Sequence, residues 1–446
     1  MNRVPTATRL TAKKTHDIFN VSNSLKNYNM FKSDPAMIRG MESFGKGLLD
    51  GNKIENYTML SDFGDKCGSE KMIDIATLAE KNKPILKQFD TFGQRIDVVD
   101  FHPAYHTLMT QAKEDGVASY GYNNELSSPN AHLTRGALLY MQNQVEPGIC
   151  CPIVMTNAAI PVLRRVPGLE KVVDKLCHQS YDSRDVPIEQ KTGITAGMSM
   201  TEKQGGSDVR SNTTMATPMN PNKTGQGSEY VLNGHKWFTS APMCDVFLTL
   251  SKTTSNSKSP SCFLVPRWLP NGDRNEGFRV MRLKDKLADR SNASSEVEYD
   301  NAHAVMVGEE GKGVKTIIEM VQSTRLDCAL GSAGMGRRAL HETLHYTANR
   351  SAFGAKLQDL PLMQNLLADL CVEAEANTLM SMKMSHLYNH SNMMDAEEES
   401  KAVMEDENMS PDDARNLFRI GVAISKYFIT KRLPNYVYEC MEVSCV

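Results

Sequence analysis

The chain of 446 residues is too long for one compact core, so we expect two or three domains. Its composition, with 40% hydrophobic and 23% charged residues, is that of a globular protein, and a net charge of −3 argues against a nucleic acid or an anionic membrane as partner. No stretch approaches the roughly 18 consecutive apolar residues of a membrane-spanning helix, so we predict no membrane span.

The first 14 residues, MNRVPTATRLTAKK, are basic and contain no acidic side chain. This composition is typical of a mitochondrial presequence, although a disordered basic terminus has the same character. The ten cysteines form no CxxC pair and follow no secretory signal, which indicates reduced thiols. We therefore expect a cytoplasmic or mitochondrial protein, in which the adjacent Cys150 and Cys151 are packing residues.

Residues 15–194 are predicted to form a helical N-terminal domain. Segments such as KMIDIATLAEKNKPILKQF and GALLYMQNQVEPG place apolar residues three and four positions apart, as one face of a helix requires. From about residue 195 the pattern changes to short strand-like runs, namely DVFLTLSK, SCFLVPR and SSEVEYDNAHAVMVG. In EYVLNGHKWFTS the alternation surrounds an Asn-Gly pair, which predicts a hairpin. We expect a middle β domain over residues 195–305.

Residues 306–446 return to helical periodicity. The run from Gly313 to Arg350 contains no proline, and as one helix it would be about 50 Å long, a length typical of helical bundles. Two further helical patterns follow, in PLMQNLLADLCVEAEANTLMSMKMSHLY and in ARNLFRIGVAISKYFITKRL. The acidic stretch between them, DAEEESKAVMEDENMSPDD, is interpreted as a solvated loop or a disordered tip.

Two histidine pairs have the spacing of metal ligands. HETLH places His341 and His345 on one face of a helix, as in zinc enzymes, but its flanking sequence continues a structural helix. His102 and His106 in FHPAYH flank Pro103, which suits a first helical turn. We predict core or capping roles for these histidines and no metal site. Neither a P-loop nor a GxGxxG segment occurs, so we predict no nucleoside-triphosphate site.

The segments MTEKQGGSDV and GHKWFTS together contain the groups that hold a flavin. A flavin takes hydrogen bonds at its pyrimidine edge, apolar or flat cover on its ring faces, and backbone N–H groups at its pyrophosphate. Thr201 and Ser207 offer hydroxyls on either side of two adjacent glycines, which let the backbone approach closely. About thirty residues later, the indole of Trp237 precedes two further hydroxyls. The two segments together predict bound FAD.

These motifs resemble those of the acyl-CoA dehydrogenase family, and within it the AidB group of alkylation-response flavoproteins. The likeness extends from THDIFN at residue 15 to MEV at 443, carried by FHPAYHTLM, MTEKQGGSDV, GHKWF, SCFLVPR, KDKLADRSNAS and TRLDCALGSA. It implies an α+β multidomain fold with a helical N-terminal domain, a β-barrel middle domain and a C-terminal helical bundle. It also implies an FAD-dependent oxidoreductase that dehydrogenates an acyl-CoA thioester, with the flavin between barrel and bundle.

The resemblance assigns roles to individual residues. Ser207 and Arg325 would lie along the acyl-CoA, and Thr201 would hydrogen-bond the flavin ring. Arg350 and Gln364 would contact the FAD of a neighbouring subunit, which implies a homo-tetramer or a dimer. The residues that would contact the flavin are Met198, Ser199, Met200, Thr201, Glu202, Lys203, Gln204, Gly205, Gly206, Ser207, Trp237, Phe238, Thr239 and Ser240.

The catalytic base is where the chain departs from the family. Relatives remove the α-proton with a glutamate, placed either in a segment near the C-terminus or immediately before the arginine of the long helix. Thr324 occupies the second position, and threonine is no general base at neutral pH. The first segment is absent, since the chain ends in ECMEVSCV, which we interpret as a shortened form with an incomplete bundle. The catalytic residue is therefore unassigned, and we expect weak activity.

Three functions remain open at this point. The chain is an acyl-CoA dehydrogenase-type oxidoreductase, an alkylation-response flavoprotein that protects DNA, or a non-catalytic protein that binds FAD or an acyl ligand. Reduction of the flavin by an acyl-CoA would support the first. Salt-dependent binding of duplex DNA would support the second, and FAD retained without reduction by any acyl-CoA would support the third.

Overall fold

The computed structural model describes residues 18–45, 48–49, 54–124, 128, 130–254, 258–392 and 409–444. The basic segment at residues 1–14, predicted to be a presequence or a disordered terminus, lies outside these ranges. So do positions 395–408 of the acidic stretch, predicted to be a solvated loop or a disordered tip. Within the described ranges, none of the helices combines the length and the apolar character needed to cross a membrane.

The N-terminal part is helical, with one small hairpin. Its helices are α1 (Pro35–Phe44), α2 (Ile54–Cys67), α3 (Glu70–Lys81), α4 (Pro103–Glu114), α5 (Tyr120–Asn123), α6 (Ala131–Val145), α7 (Cys150–Leu163) and α8 (Glu170–Cys177). The hairpin pairs strand β1 with β2, which are Ile85–Phe89 and Arg95–Asp100. The helical prediction over KMIDIATLAEKNKPILKQF is therefore wrong in its second half. Asn82 ends α3 and Pro84 cannot continue it, so the alternating residues that follow form a strand.

A seven-stranded sheet forms the middle domain. Its strands are β3 (Ala196–Ser199), β4 (Met215–Pro218), β5 (Glu229–Ser240), β6 (Val246–Thr253), β7 (Ser261–Pro266), β8 (Phe278–Leu283) and β9 (Ser294–Val307). The hydrogen-bonded order is β3-β6-β4-β5-β9-β7, and β7 also pairs with β6, so five strands close a ring. β3 and β8 add to this ring at β6 and β9. The result is the predicted β-barrel, in which closure removes most of the unpaired strand edges.

The hairpin predicted at Asn233 and Gly234 does not form, because β5 is one continuous strand paired with β9. The Asn-Gly pair instead marks a bulge. The pairing register shifts between Leu232 and Asn233, and the backbone N–H of Asn301 donates to the Asn233 side chain at 3.0 Å. Gly234 has a φ of +151°, and a Cβ there would lie 2.6 Å from the hydroxyl of Thr214. Glycine is required by this close passage rather than by a turn.

The C-terminal domain consists of three long helices, α9 (Gly313–Asn349), α10 (Pro361–Asn392) and α11 (Pro411–Val443), with a short ribbon of β10 (Ser351–Ala352) and β11 (Ala355–Lys356) after α9. α9 spans 37 residues, or about 55 Å, which confirms the long helix predicted from the sequence. α11 continues through Pro434 beyond its predicted end at Leu433. Apolar side chains remain exposed along it, namely Leu417, Ile420, Ile424, Tyr427, Phe428, Val437, Tyr438 and Met441.

Helix α6 is buried along its length and joins the N-terminal helices to the bundle. Arg135 on α6 forms a buried ion pair with Asp327 on α9, and its Nε donates to the carbonyl of Val117 at 2.9 Å. At Gly334, α9 approaches α6 so closely that an added Cβ would collide with the carbonyl oxygen of Tyr140. The two helices are therefore held together by a buried charge pair and by direct backbone contact.

We expect Gly334→Ala to destabilise the protein by roughly 1–3 kcal/mol, because the added methyl group meets backbone that cannot move aside. Gly336→Ala is the matched control on the same helix, since the nearest atom to its added Cβ, on Leu433, would be 3.4 Å away. That change should be neutral or stabilising by up to about 1 kcal/mol through helix propensity. Urea denaturation measures both variants, and equal stabilities would contradict the close packing of α6 on α9.

Candidate functional site

A cleft of about 570 Å³ lies between the barrel and the helices of the other two domains. The barrel wall is mostly apolar and consists of Met198, Met200, Thr201, Phe238 and Ser240. The opposite wall comes from α6, α7 and the turn between them, α9, α11 and the loop after β8. Its residues are Asn143, Pro147, Cys150, Cys151, Val154, Met155, Asp289, Thr324, Asp327, Cys328, Gly331, Ser332, Met335, Lys426 and Thr430.

The α9 residues of the cleft recur every three or four positions and so form one stripe on that helix. Thr324 begins the stripe, and its hydroxyl donates to the carbonyl of Val321 at 3.1 Å. Helical spacing from Thr324 is the signal that could have identified Asp327 from the sequence. Cys150 and Cys151, predicted to be packing residues, also line the cleft. For the cleft residues of α6, α11 and the loop after β8, no pattern in the neighbouring sequence indicated a place in the site.

Of the predicted flavin contacts, Glu202 and Trp237 do not line the cleft, and the others divide into three groups. Met198, Met200, Thr201, Phe238 and Ser240 line the cleft. Ser199 and Thr239 lie inside the barrel, where their hydroxyls hydrogen-bond each other. Residues 203–207 are exposed on the loop after β3. Ser199 and Thr239 therefore have no side-chain surface towards the cleft.

The loop after β3 places the Thr201 hydroxyl beside the cleft, and that hydroxyl makes no hydrogen bond within the described part of the chain. Gly206 packs so closely on it that an added Cβ would collide with the Thr201 oxygen. Gly205 has a φ of +119°, yet a Cβ built there would meet no atom within 4 Å. Gly205 is thus required by its backbone conformation and Gly206 by the lack of space.

Glu202 and Lys236 form an ion pair inside the barrel, with Oε1 and Nζ 3.0 Å apart and neither side chain exposed. The carboxylate also accepts hydrogen bonds from the backbone and hydroxyl groups of Thr213 and Thr214 and from the Gln204 side chain. Burial alone would raise the pKa of Glu202, but the Lys236 ammonium and these hydrogen bonds hold it well below its usual range. Burial lowers the pKa of Lys236 to about 8, against the attraction of Glu202.

This ion pair joins the two segments from which the sequence predicted a flavin. Two further links flank it: the backbone N–H of Trp237 donates to the Thr201 carbonyl at 2.7 Å, and that of Lys203 donates to His235 Nε2 at 3.0 Å. The half-buried Trp237 ring is covered by a cation, with Lys284 Nζ 3.7 Å from the ring centroid. MTEKQGGSDV and GHKWF are therefore one structural unit, and it supplies Met200, Thr201 and Phe238 to the barrel wall of the cleft.

Arg325, Arg350 and Gln364, predicted ligand contacts, do not line the cleft. Arg325 is half-buried on α9. Arg350 directly follows α9 as its C-terminal capping residue, and its Nη1 donates to the carbonyl of Asn20 at 2.6 Å. Gln364 is exposed in the first turn of α10. The contacts predicted for Arg350 and Gln364 require a neighbouring subunit and stay predictions.

The paired histidines have structural surroundings. His341 packs edge-on against Tyr28 with ring centroids 4.7 Å apart, and His345 Nε2 lies 2.8 Å from the carbonyl of Asn23. His102 caps α4 by accepting a backbone N–H, as predicted. Across the described ranges, no group of three or more His, Cys, Asp or Glu side chains is placed to hold a metal ion.

Replacing Glu202 by Gln should destabilise the protein by about 3–5 kcal/mol at neutral pH, because it leaves the Lys236 ammonium buried without a counter-charge. The folded-state pKa of Glu202 is lowered, so its contribution is complete above the ordinary carboxyl value of 4.5 and is lost as the pH falls below it. The stability gap between wild type and variant should therefore narrow on acidification. Denaturant unfolding over a pH series measures the gap, and a variant as stable as wild type at neutral pH would refute the role of the pair.

Three family models match successive parts of the chain. They are the adaptive response protein AidB N-terminal domain at residues 20–183, the acyl-CoA dehydrogenase middle domain at 197–302 and the acyl-CoA dehydrogenase C-terminal domain at 311–444. The chain is 37% identical over 432 residues to AidB of Escherichia coli (strain K12), which covers 96% of this chain and 73% of that protein. It is 30% identical over 371 residues to acyl-CoA dehydrogenase family member 11 of Caenorhabditis elegans, covering 81% of this chain.

The chain spans 57% of the length of that Caenorhabditis elegans relative. The crystal structure of Caenorhabditis elegans ACDH-11 in complex with C11-CoA is similar, with a TM-score of 0.82 and 26% identity over 99% of this chain and 71% of that chain. The predicted order of helical domain, β-barrel and helical bundle is confirmed. The chain belongs to the acyl-CoA dehydrogenase family and carries an N-terminal domain of the AidB type.

Proposed function

We propose that the protein is an FAD-dependent oxidoreductase of the acyl-CoA dehydrogenase type, which forms a double bond between the α- and β-carbons of an acyl-CoA thioester. The observation that supports this most directly is the cleft, because it sets Met200, Thr201 and Phe238 of the barrel opposite Thr324 of α9. Members of the family bind FAD. A relative of the same fold was solved with C11-CoA, which supports an acyl-CoA as the ligand here.

The barrel wall has the groups that a flavin needs. Met198, Met200 and Phe238 offer apolar cover for a flat ring, and sulfur atoms contact aromatic rings favourably. The Thr201 hydroxyl, which has no partner within the described residues, is available to the polar edge of the ring. On the exposed loop at residues 203–207, the backbone N–H groups of Gln204, Gly206 and Ser207 are available to phosphate oxygens, whereas those of Lys203 and Gly205 donate to His235 Nε2 and to the Glu202 carbonyl. When bound, FAD supplies the hydride acceptor.

The opposite wall would hold the acyl group, and proton removal there requires a base within hydrogen-bond reach of the α-carbon. Thr324 cannot act as that base, and its hydroxyl is bonded to the Val321 carbonyl. The carboxylates that line the cleft are Asp289 and Asp327, and burial raises the pKa of each. Asp327 is already paired with Arg135. We therefore assign no catalytic base among the described residues and expect slow turnover.

A second candidate function, in the response to alkylation damage, is favoured by the match to the adaptive response protein AidB N-terminal domain. The net charge of −3 gives no electrostatic reason for DNA binding. Fluorescence anisotropy of a labelled duplex over a salt series tests this function. Tight binding that weakens steeply with salt would support it, and weak binding at every salt concentration would leave the dehydrogenase as the better account.

Purified protein should retain FAD, and an acyl-CoA should bleach its flavin slowly under anaerobic conditions. Thr324→Glu should accelerate this reduction by about 10²–10⁴-fold, the usual contribution of a general base. Thr324→Gln is the matched control, because glutamine has the size of glutamate but cannot act as a base. Flavin reduction in this variant should stay slow. Stopped-flow absorbance measures the three rates. Folded protein that binds no FAD, or equal rates for the Glu and Gln variants, would contradict the proposal.

We also propose that the protein forms a homo-oligomer, a dimer or a tetramer. An exposed apolar stripe on a long helix is typical of a subunit interface. Along α11, Ile420 is 63% exposed, Ile424 57% and Tyr427 68%. Gln364, which the family resemblance assigns to an inter-subunit contact, is also exposed.

Sedimentation velocity at micromolar concentration should show at least two chains per particle. Ile424→Glu should shift the distribution towards the monomer, because it places a charge in the apolar stripe. Phe92→Glu is the control, since Phe92 is 89% exposed in the turn between β1 and β2. A wild-type protein that stays monomeric with FAD bound would rule out the proposed assembly.

A further inference from the structure

Of the described side chains that line the cleft, only that of Lys426 is positively charged. Lys426 is half-buried on α11, and no described residue forms an ion pair with it. The other basic residues of this helix are either in ion pairs or exposed to water, namely Arg415, Arg419, Lys431 and Arg432. Lys426 is therefore the base of α11 whose charge is directed to the cleft and is not balanced there.

Helices α9 and α11 run parallel, and their packing fixes the position of Lys426 along the cleft. Gly336 of α9 faces Leu433 of α11, and Thr343 Oγ1 donates to the carbonyl of Cys440 at 3.3 Å. In both places the two residues in contact differ by 97 positions. The same offset brings Lys426 beside the stripe of α9 residues that lines the cleft.

Lys426 lies level with Ala329, which is five positions, or about 7 Å, beyond Thr324 along α9. Burial raises the pKa of the neighbouring Cys328 thiol, and the Lys426 charge opposes this rise, as expected for side chains that lie close together. One turn further, Ser332 also lines the cleft, and its hydroxyl makes no hydrogen bond within the described part of the chain. This end of the cleft thus offers an ammonium group and a hydroxyl donor.

The two carboxylates of the cleft do not balance the ammonium. Asp327 is paired with Arg135. Burial raises the pKa of Asp289, and the cation that opposes this rise is Lys286. Lys426 is not among the charges that act on either acid. A purely apolar acyl chain would displace water from the ammonium and give it no partner in return, which is unfavourable.

An anionic group on the ligand would supply the missing partner. The flavin is assigned to the barrel wall, and Lys426 lies on the wall opposite, so the anion belongs to the acyl group. We propose that the acyl chain accepted by this cleft ends in a carboxylate, which binds the Lys426 ammonium and the Ser332 hydroxyl. The ligand is then the mono-CoA thioester of a dicarboxylic acid. The distance of about 7 Å from Thr324 corresponds to about five or six carbon–carbon bonds of roughly 1.5 Å in a zigzag chain.

This inference rests on the proposed function, because it concerns the acyl group of the same ligand. The test is isothermal titration calorimetry of the FAD-loaded protein with adipoyl-CoA, pimeloyl-CoA and suberoyl-CoA, and with the plain hexanoyl, heptanoyl and octanoyl thioesters. At least one dicarboxylic thioester should bind about tenfold more tightly than the plain thioester of the same length, because its carboxylate forms a charge-assisted hydrogen bond. The readout is binding, so it does not depend on the slow chemistry.

Lys426→Met removes the charge and keeps the approximate size of the side chain. It should reverse the preference, because the carboxylate would then enter the cleft without a counter-charge. Lys431→Met is the matched control, since Lys431 is exposed on the same helix and does not line the cleft, and it should keep the preference.

Equal or tighter binding of the plain thioesters to wild type would overturn the inference and leave the proposed function standing. Equal weakening of both classes by Lys426→Met would place the ammonium against a phosphate of CoA, and loss of FAD from that variant would place it against the cofactor. Either result would also overturn the inference. Failure of every thioester to bind would overturn the proposed function as well. The wild-type comparison decides the inference even where Lys426→Met does not fold.

Discussion

The buried ion pair between Glu202 and Lys236 is the interaction on which the cleft depends. Neither charge reaches water, so each relies on the other and on the hydrogen bonds that surround the carboxylate. A shift of the loop after β3 relative to β5 would break several of these bonds together. The loop and the strand are therefore held in one arrangement, and the directions of Thr201 and Phe238 follow from it. A fixed wall of this kind is what a rigid aromatic cofactor requires.

The helical side of the cleft is fixed in a similar way. Arg135 and Asp327 form a second buried ion pair, which links α6 of the N-terminal domain to α9 of the bundle. Close backbone contact at Gly334 reinforces this link. The cleft thus lies between two walls that are each held by buried charges, at the junction of three domains. Junctions between domains are common places for ligand sites, because residues from distant parts of the chain converge there.

Much of the architecture could be predicted from the sequence, because it follows from local patterns. The long helix α9 is signalled by helical periodicity without proline, and the barrel by short alternating runs. The prediction of a hairpin at Asn233 and Gly234 was wrong because an Asn-Gly pair occurs both in tight turns and in β-bulges. Here the close approach of Thr214, which the local sequence does not show, selects the bulge. The β1–β2 hairpin was missed because its alternating strand directly follows a helix.

The motifs that form the site could be predicted from the sequence, but the directions of their side chains could not. MTEKQGGSDV identifies a loop but does not show that Glu202 points into the barrel while Thr201 points to the cleft, because this depends on the partner Lys236. The contact between Asn143 of α6 and Gly331 of α9 joins residues almost two hundred positions apart, and only tertiary packing creates it. Asp327 is the exception, since helical spacing from Thr324 already places it on the same face.

A crystal structure of the protein grown with FAD tests the central claim most directly. The account predicts the flavin ring in the cleft, with Met200 and Phe238 on its barrel side, the Thr201 hydroxyl within hydrogen-bond distance of its polar edge, and Thr324 of α9 across the remaining space. The Glu202–Lys236 pair should be unchanged on binding. A flavin bound elsewhere, or a ring that enters the cleft only after this pair has separated, would contradict the account.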